Sequence, residues 1–186
     1  MLAKIQDQKI FLFGILALLM ITRASHFGNA SLLPDASIAC FFLLGAMHAR
    51  LRWVLLASLI AVAIDLLVTR LMIVSDYCMS PAYWGLLPIY ALVWWLGRRV
   101  GNNLKLSLKN FILFGWFSAS IAFFLSNAIW YPFSEQVNKM SLADFSSAVS
   151  QYYLPYTAYS VFYIIAAYAI LFVHSHMKSV NTIEKA

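Results

Sequence analysis

Long runs of apolar residues alternate with short polar segments along almost the whole chain. The runs fall at about residues 10–22, 32–48, 51–74, 81–97, 108–131 and 152–173. A helix that crosses a bilayer needs about 20 mostly apolar residues, so each run is long enough to cross, or nearly so. Strands are not expected, because the runs are continuous rather than alternating. The pattern therefore predicts an all-α integral membrane protein, with six transmembrane helices in a single domain over residues 1–186.

Prolines and one polar segment add detail to this pattern. Pro34 and Pro81 are placed at the first turns of helices, where a missing N–H costs little. Pro88 lies inside the fourth run and predicts a kink there. The segment 141–150 is too polar to span a membrane, and it is predicted to form a short helix lying at the surface.

Composition and charge agree with a membrane protein. Of 186 residues, 63% are hydrophobic and 11% are charged, and a soluble domain of this size cannot hide so much apolar surface. The net charge of +6 does not indicate a nucleic-acid partner, because it can be explained by membrane topology. The first run also has the basic start of a cleaved signal peptide, although Gly28–Ala30 is a weak cleavage site.

The basic residues predict the orientation of the helices. If the N-terminus is cytoplasmic and the runs alternate sides, ten Lys and Arg residues lie on the inner side and three on the outer side. The three outer ones are Arg23, Arg70 and Lys139. An excess of positive charge on the cytoplasmic side is typical of inner-membrane proteins, so both termini are expected in the cytoplasm.

Aromatic residues are concentrated on the predicted outer side. They are Tyr77, Tyr83, Trp84, Trp130, Tyr131, Tyr152, Tyr153 and Tyr156. Each could belong to an interfacial aromatic belt. Their number also suits a broad bowl for a large ligand, with hydrogen-bonding groups from Asn29, Ser126, Asn127 and Gln151 nearby.

Cys78 is the most informative candidate for chemistry. It lies in an outer loop, two residues before Ser80, which is a candidate N-cap for a helix that begins at Pro81. The positive end of a helix dipole favours the thiolate form. Cys40 is predicted in the middle of the second helix, too far away in depth to form a disulfide. An unpaired outer thiol suggests a ligand or a reactive group, although an incidental loop cysteine is equally consistent with these facts.

Two further polar residues are candidates. Asp65 lies inside the third run, where a carboxylate is costly and indicates either a functional site or a partner for Arg70 or for a polar group of a neighbouring helix. His26 follows the first run, and imidazole is a good ligand for cobalt or zinc. A single loop histidine is more often a solvated polar residue.

Three segments of the chain resemble the BtuM cobalamin transporters, which are bacterial relatives of the substrate-binding S-components of energy-coupling-factor vitamin transporters. These segments are Ser31–Ser37, Asp76–Tyr83 and Leu125–Tyr131, and the second, with its Cys-Met-Ser-Pro-Ala-Tyr sequence, is the most specific. The likeness covers nearly the whole chain in the number, order and loop placement of the runs.

The resemblance implies a six-helix S-component-like bundle whose substrate bowl faces outward. It implies that Cys78 binds the cobalt of cobalamin, and that Asp65 and Tyr83 are site residues. Asn127 and Tyr131 are expected to contact the ligand, and His26 is a weaker candidate for the opposite axial face of the cobalt.

The resemblance leaves docking to an energy-coupling module in doubt. Many S-components use an Ala-x-x-x-Ala surface on the first helix for this docking, whereas here the first helix offers Gly14 and Ala17, which lack that spacing. Ala57 and Ala61 have the spacing but lie in the third run, and such pairs are common in ordinary helix packing. No nucleotide-binding motif is present, so the chain is not expected to hydrolyse ATP by itself.

The resemblance therefore implies a protein that binds cobalamin and takes it up across the bacterial inner membrane. A thiolate that donates electrons to cobalt could also help to remove cyanide from cyanocobalamin, with an outside reductant. In that reaction Asp65 and Tyr83 would hold the corrin in place. The alternatives are an S-component-like transporter for another small molecule, a membrane enzyme with Cys78 as nucleophile, and a structural membrane subunit.

Overall fold

A computed structural model of the chain describes residues 8–24, 33–71, 81–103 and 107–183, and these residues form helices and short connections without any strand. The α-helices within these described residues are α1 (Gln8–Thr22), α2 (Ser37–Ala46), α3 (Leu51–Leu71), α4 (Leu86–Asn103), α5 (Leu108–Phe133), α6 (Leu142–Ser150) and α7 (Tyr153–Ile183). Two short 3₁₀ helices, Pro81–Gly85 and Glu135–Asn138, precede α4 and α6. The prediction of an all-α protein is confirmed for this part of the chain.

Three of the described helices are long and apolar enough to cross a membrane. They are α3, α5 and the part of α7 from Tyr153 to His174. Many of their large apolar side chains face outward, for example Leu59 at 66% exposure and Phe124 at 61%. Water would disfavour so much exposed apolar surface, whereas lipid accepts it. These features support a membrane protein.

The helix in the second apolar run, residues 32–48, is much shorter than the run itself. α2 has ten residues, so it is about 15 Å long, which is half the thickness of the hydrocarbon core. All ten residues are buried. A helix that is apolar on every side is stable when other helices surround it, and α2 packs against α1, α3, α4, α5 and α7. It is therefore the centre of the bundle.

Close packing of α2 against α4 depends on two glycines. A Cβ atom on Gly45 would overlap the backbone oxygen of Trp94, and a Cβ atom on Gly97 would overlap the backbone oxygen of Phe42. Small residues let helix backbones approach in this way, and the resulting dispersion attraction helps to hold helices together in lipid.

The prolines are placed slightly differently from the prediction. Pro81 begins a 3₁₀ helix, in agreement with the expected helix start. Pro34 lies three residues before α2 rather than in its first turn. Pro88 is the third residue of α4, so it lies in the first turn and not in the interior where it was expected to cause a kink. The 3₁₀ turn ahead of α4 moves the helix start, and a proline so close to it removes no intrahelical hydrogen bond.

The predicted short helix after α5 is confirmed as α6. Ser141 caps it by accepting a hydrogen bond from the backbone N–H of Asp144 at 3.2 Å. Phe145 is its buried residue, and the Phe145 ring lies 5.7 Å from that of Trp130 and 4.7 Å from that of Tyr131. α6 therefore lies on the bundle with one aromatic anchor directed inward.

Candidate functional site

A buried guanidinium joins the ends of several helices. Arg23 directly follows α1 and is fully buried. Its Nε donates a hydrogen bond to Oδ1 of Asp65 at 2.8 Å, and its Nη2 donates to Oδ2 of the same carboxylate at 2.5 Å. This two-point geometry is the strongest way for an arginine to bind a carboxylate. The pair fixes the end of α1 against α3.

The other end of the Arg23 guanidinium reaches α2 and α4. Nη1 donates to Oγ of Ser37 and to Oη of Tyr90, both at 2.8 Å. It also lies 3.4 Å from Oδ2 of Asp35. The ring of Tyr90 stacks on that of Phe41 with 4.2 Å between centroids, which holds its hydroxyl toward Arg23. Burial of a charge is costly unless the charge is paired with an opposite charge and hydrogen-bonded. Arg23 has carboxylates as ionic partners and hydroxyl oxygens as further hydrogen-bond acceptors.

Tyr83 extends this network to the surface of a cavity. Its hydroxyl donates to Oδ2 of Asp65 at 2.7 Å. Because the Asp65 carboxylate also accepts two hydrogen bonds from Arg23, its position is fixed from two sides. Asp65 does not border the cavity, but it holds the hydroxyl of Tyr83, which does.

The cavity beside Tyr83 has a volume of about 300 Å³. Its polar border consists of Asp35, Ser37, Tyr83, Tyr90, Ser126, Asn127, Trp130 and Tyr156. Apolar residues of α2, α4, α5, α6 and the 3₁₀ helix before α4 complete the border. Polar groups that converge on a largely apolar hollow are typical of a ligand-binding site. This cavity is the best candidate for the functional site in the described residues.

A second cavity, of about 440 Å³, is bordered by α5, α6 and the start of α7. Asn127, Phe145 and Val149 border both cavities, so they form a shared wall. Tyr131 borders the second cavity, and its hydroxyl donates to the backbone oxygen of Met140 at 2.8 Å. The shared wall consists of side chains from α5 and α6.

The structure brings together several of the residues that the sequence selected. Asp65 and Tyr83 are hydrogen-bonded to each other, and Asn127 and Tyr131 lie nearby at the two cavities. Asp65 is paired with Arg23 rather than with the exposed Arg70, so the partner comes from a neighbouring part of the bundle. Cys78 and His26 lie outside the described residues.

The aromatic residues that the sequence predicts on the outer side have different surroundings. Tyr83, Trp130 and Tyr156 border the first cavity, whereas Tyr131 and Tyr153 border the second. Trp84 and Tyr152 are about three-fifths exposed, as expected of residues in an interfacial belt. Tyr77 lies outside the described residues. The described aromatic residues thus include both cavity-lining and exposed side chains.

Sequence reasoning missed the central role of Arg23. It counted Arg23 only among the three positive charges of the outer side, whereas the side chain is completely buried and forms an ion pair with Asp65. The signal that could have found it is Asp65, because a carboxylate inside an apolar run needs a cationic partner. Arg23 and Asp65 are 42 residues apart, and only helix packing makes them neighbours.

The small residues Ala57 and Ala61 and the thiol of Cys40 are packed inside the helix bundle. Ala57 and Ala61 are buried inside the bundle, so this pair does not provide an exposed docking surface. Cys40 is also buried, and its thiol donates to the backbone oxygen of Ile15 at 3.5 Å. No group of three or more His, Cys, Asp and Glu side chains is assembled for a metal ion within the described ranges.

Comparison of the chain with protein-family models and with curated proteins gives no match. The ligand must therefore be inferred from the residues around the cavity and from the sequence.

Proposed function

We propose that the protein binds cobalamin and takes it up across the bacterial inner membrane. The observation that supports this most directly is the hydrogen bond of 2.7 Å between Tyr83 and Asp65 at the edge of a cavity. The resemblance to BtuM transporters selects the same two residues without reference to their distance. Their contact beside a hollow with converging polar groups is what a shared ligand site requires.

In this proposal the Cys78 thiolate binds the cobalt of cobalamin. Cys78 is five residues before Tyr83 in the sequence, and this short separation is compatible with a thiolate that binds the cobalt of a corrin beside the cavity. His26 is proposed for the opposite axial face of the cobalt, because imidazole is a suitable ligand and Arg23 is three residues away.

The remaining residues of the proposed site orient the corrin. Asn127 and Tyr131 offer hydrogen-bonding groups to its amide side chains, and Asp65 acts through Tyr83. The Cys78 thiolate would also promote loss of cyanide from cyanocobalamin, because its electron donation weakens the cobalt–cyanide bond on the opposite side of the cobalt. In that step an outside thiol reductant supplies an electron, the cobalt goes from Co(III) to Co(II), and cyanide leaves as the anion with the electron pair of the broken bond.

The proposal includes six membrane spans with both termini in the cytoplasm. α3, α5 and α7 supply three of them, and the runs that contain α1, α2 and α4 supply the others. The positive charges concentrated on the predicted inner side support this orientation.

A smaller ligand is the second candidate, and the volume of the cavity favours it. About 300 Å³ is at the lower limit for ligand pockets, and a corrin with its side chains is larger. An S-component-like transporter for another small molecule would fit this volume. Binding by such a protein would not depend on Cys78.

Absorbance spectroscopy of the detergent-purified protein with added cobalamin tests the proposal. The wild type is expected to retain cobalamin with an altered spectrum, because a thiolate has replaced an axial ligand. Cys78→Ala should remove this change, since a methyl group cannot coordinate cobalt. Cys40→Ala is the matched control, because it removes a thiol that is buried in α2, and it should keep the altered spectrum. The same spectrum in Cys78→Ala would disprove the cobalt–thiolate bond, and no retention by the wild type would favour the second candidate.

A further inference from the structure

The second cavity is rich in aromatic rings. With about 440 Å³ it is larger than the first cavity, and a ligand group of two fused rings fits inside it. The rings that border it come from α5, α6 and the start of α7, and they are Phe123, Phe124, Tyr131, Phe145 and Tyr153. Aromatic rings prefer stacked or edge-to-face contacts with one another, so this border favours a flat aromatic occupant.

The five rings form two groups. Phe124 and Tyr153 are stacked, with 5.6 Å between centroids and 27° between planes, and the ring of Phe123 lies against both. Tyr131 and Phe145 form the other group, with 4.7 Å between centroids. Because both groups border the same cavity, a flat ring inside it has aromatic neighbours from α5, α6 and α7.

Asn127 provides a polar group between the two cavities. It borders both of them, together with Phe145 and Val149. Its Nδ2 group donates one proton to the backbone oxygen of Phe123 at 2.8 Å, and an amide nitrogen has a second proton that can go to a ring nitrogen. Four hydroxyl groups that also border the second cavity are hydrogen-bonded within the protein, and they belong to Tyr131, Ser146, Ser150 and Tyr153.

Cobalamin has one part that is a flat nitrogen heterocycle. It is the dimethylbenzimidazole base, which ends a flexible nucleotide tail and binds the lower face of the cobalt in free cobalamin. In the proposed function Cys78 binds the cobalt opposite to cyanide, which is this lower face. The thiolate sulfur then donates an electron pair to cobalt while the bond from cobalt to the base nitrogen breaks. The nitrogen keeps its electron pair, and the oxidation state of the cobalt does not change in this exchange.

We propose that the second cavity binds the displaced benzimidazole base while the corrin lies beside the first cavity. The proposal rests on the proposed function, and it adds to it a separate site for the nucleotide tail. The wall shared by the two cavities makes them neighbours, as a ligand with two connected parts requires. The base lies against the aromatic groups of the second cavity, and its released nitrogen accepts a hydrogen bond from Asn127.

A comparison of cobalamin with cobinamide tests the proposal. Cobinamide has the same corrin and cobalt but lacks the nucleotide tail with its base. Calorimetry of the purified protein gives the two dissociation constants, and their ratio, cobalamin over cobinamide, is compared between variants. The cost of releasing the base from cobalt is the same for every variant, so it cancels in this comparison. Ala128→Trp fills the second cavity, which Ala128 borders without bordering the first. It should raise the ratio about tenfold, as expected when one base loses its stacking.

Leu125→Trp is the matched control for this variant. Leu125 is also exposed on α5 but borders neither cavity, so the ratio should stay as in the wild type. Phe124→Ala removes a ring from the cavity border and should raise the ratio too, which keeps the test decisive if Ala128→Trp fails to fold. A ratio that neither cavity variant raises above that of the control overturns the site for the base, and this result is expected if a lipid chain fills the cavity. A wild type that binds neither ligand overturns the proposed function instead.

Discussion

Arg23 makes the densest set of polar contacts in the described part of the chain. It joins Asp65 on α3, Ser37 on α2 and Tyr90 on α4. A buried ion pair adds little net stability compared with a well-packed apolar pair, but removal of one partner leaves a charge without compensation. The network is therefore expected to fix the geometry of the site and to be sensitive to changes in any single member.

We predict that Arg23→Ala strongly destabilises the protein, by about 3–5 kcal/mol, because the Asp65 carboxylate remains buried without its partner. Thermal unfolding in detergent measures the effect. Arg70→Ala is the matched control, since Arg70 is exposed at the end of α3, and it should change the melting temperature little. Adding Asp65→Ala to Arg23→Ala should restore part of the loss, because both charges are then absent. Equal melting temperatures for the two arginine variants would contradict the prediction.

At the scale of helices, α6 is held on the bundle mainly through one residue. Phe145 is its buried side chain, and it packs against the rings of Trp130 and Tyr131 on α5. The same residue forms part of the wall between the two cavities. The position of α6 and the separation of the cavities thus depend on the same contact.

Phe145→Ala should loosen α6 without unfolding the transmembrane helices. The substitution removes the aromatic contacts that hold a nine-residue helix, which is too short to be stable alone. Hydrogen exchange followed by mass spectrometry should show faster exchange confined to residues 142–150. Leu142→Ala, at a side chain that is 62% exposed on the same helix, should exchange like the wild type. The prediction fails if both variants exchange alike.

For the molecule as a whole, the topology proposal makes a prediction at each loop. An alkaline phosphatase fused after Lys105 should be inactive and a fluorescent protein fused there should fluoresce, because this basic loop is placed in the cytoplasm. The reverse is expected after Lys139, between α5 and α6. The two fusion sites lie before and after α5, which in the proposed topology crosses the membrane once between them. Each site therefore serves as the control for the other. Active phosphatase after Lys105 would reject the proposed orientation.

Much of the architecture could be predicted from the sequence, because hydropathy and helix length are local properties. The continuous apolar runs predicted helices, and three of the described helices are long and apolar enough to cross a bilayer. The segment 141–150 was predicted as a short surface helix because it is too polar to span a membrane, and α6 corresponds to it. In the site, a carboxylate within an apolar run marked Asp65 as significant, because its burial in lipid is costly.

The tertiary structure alone decided which polar groups meet. Asp65 pairs with Arg23 and Tyr83, which are 42 and 18 residues away, because α1 and the 3₁₀ helix before α4 pack beside α3. The central position of the short α2 also depends on packing, through the close approach of backbones at Gly45 and Gly97. A cavity exists only between packed elements, and Asp35, Tyr83 and Asn127 border it because three different parts of the chain converge there. Local sequence determines which residues are costly to bury, whereas the packing of distant segments determines how that cost is offset.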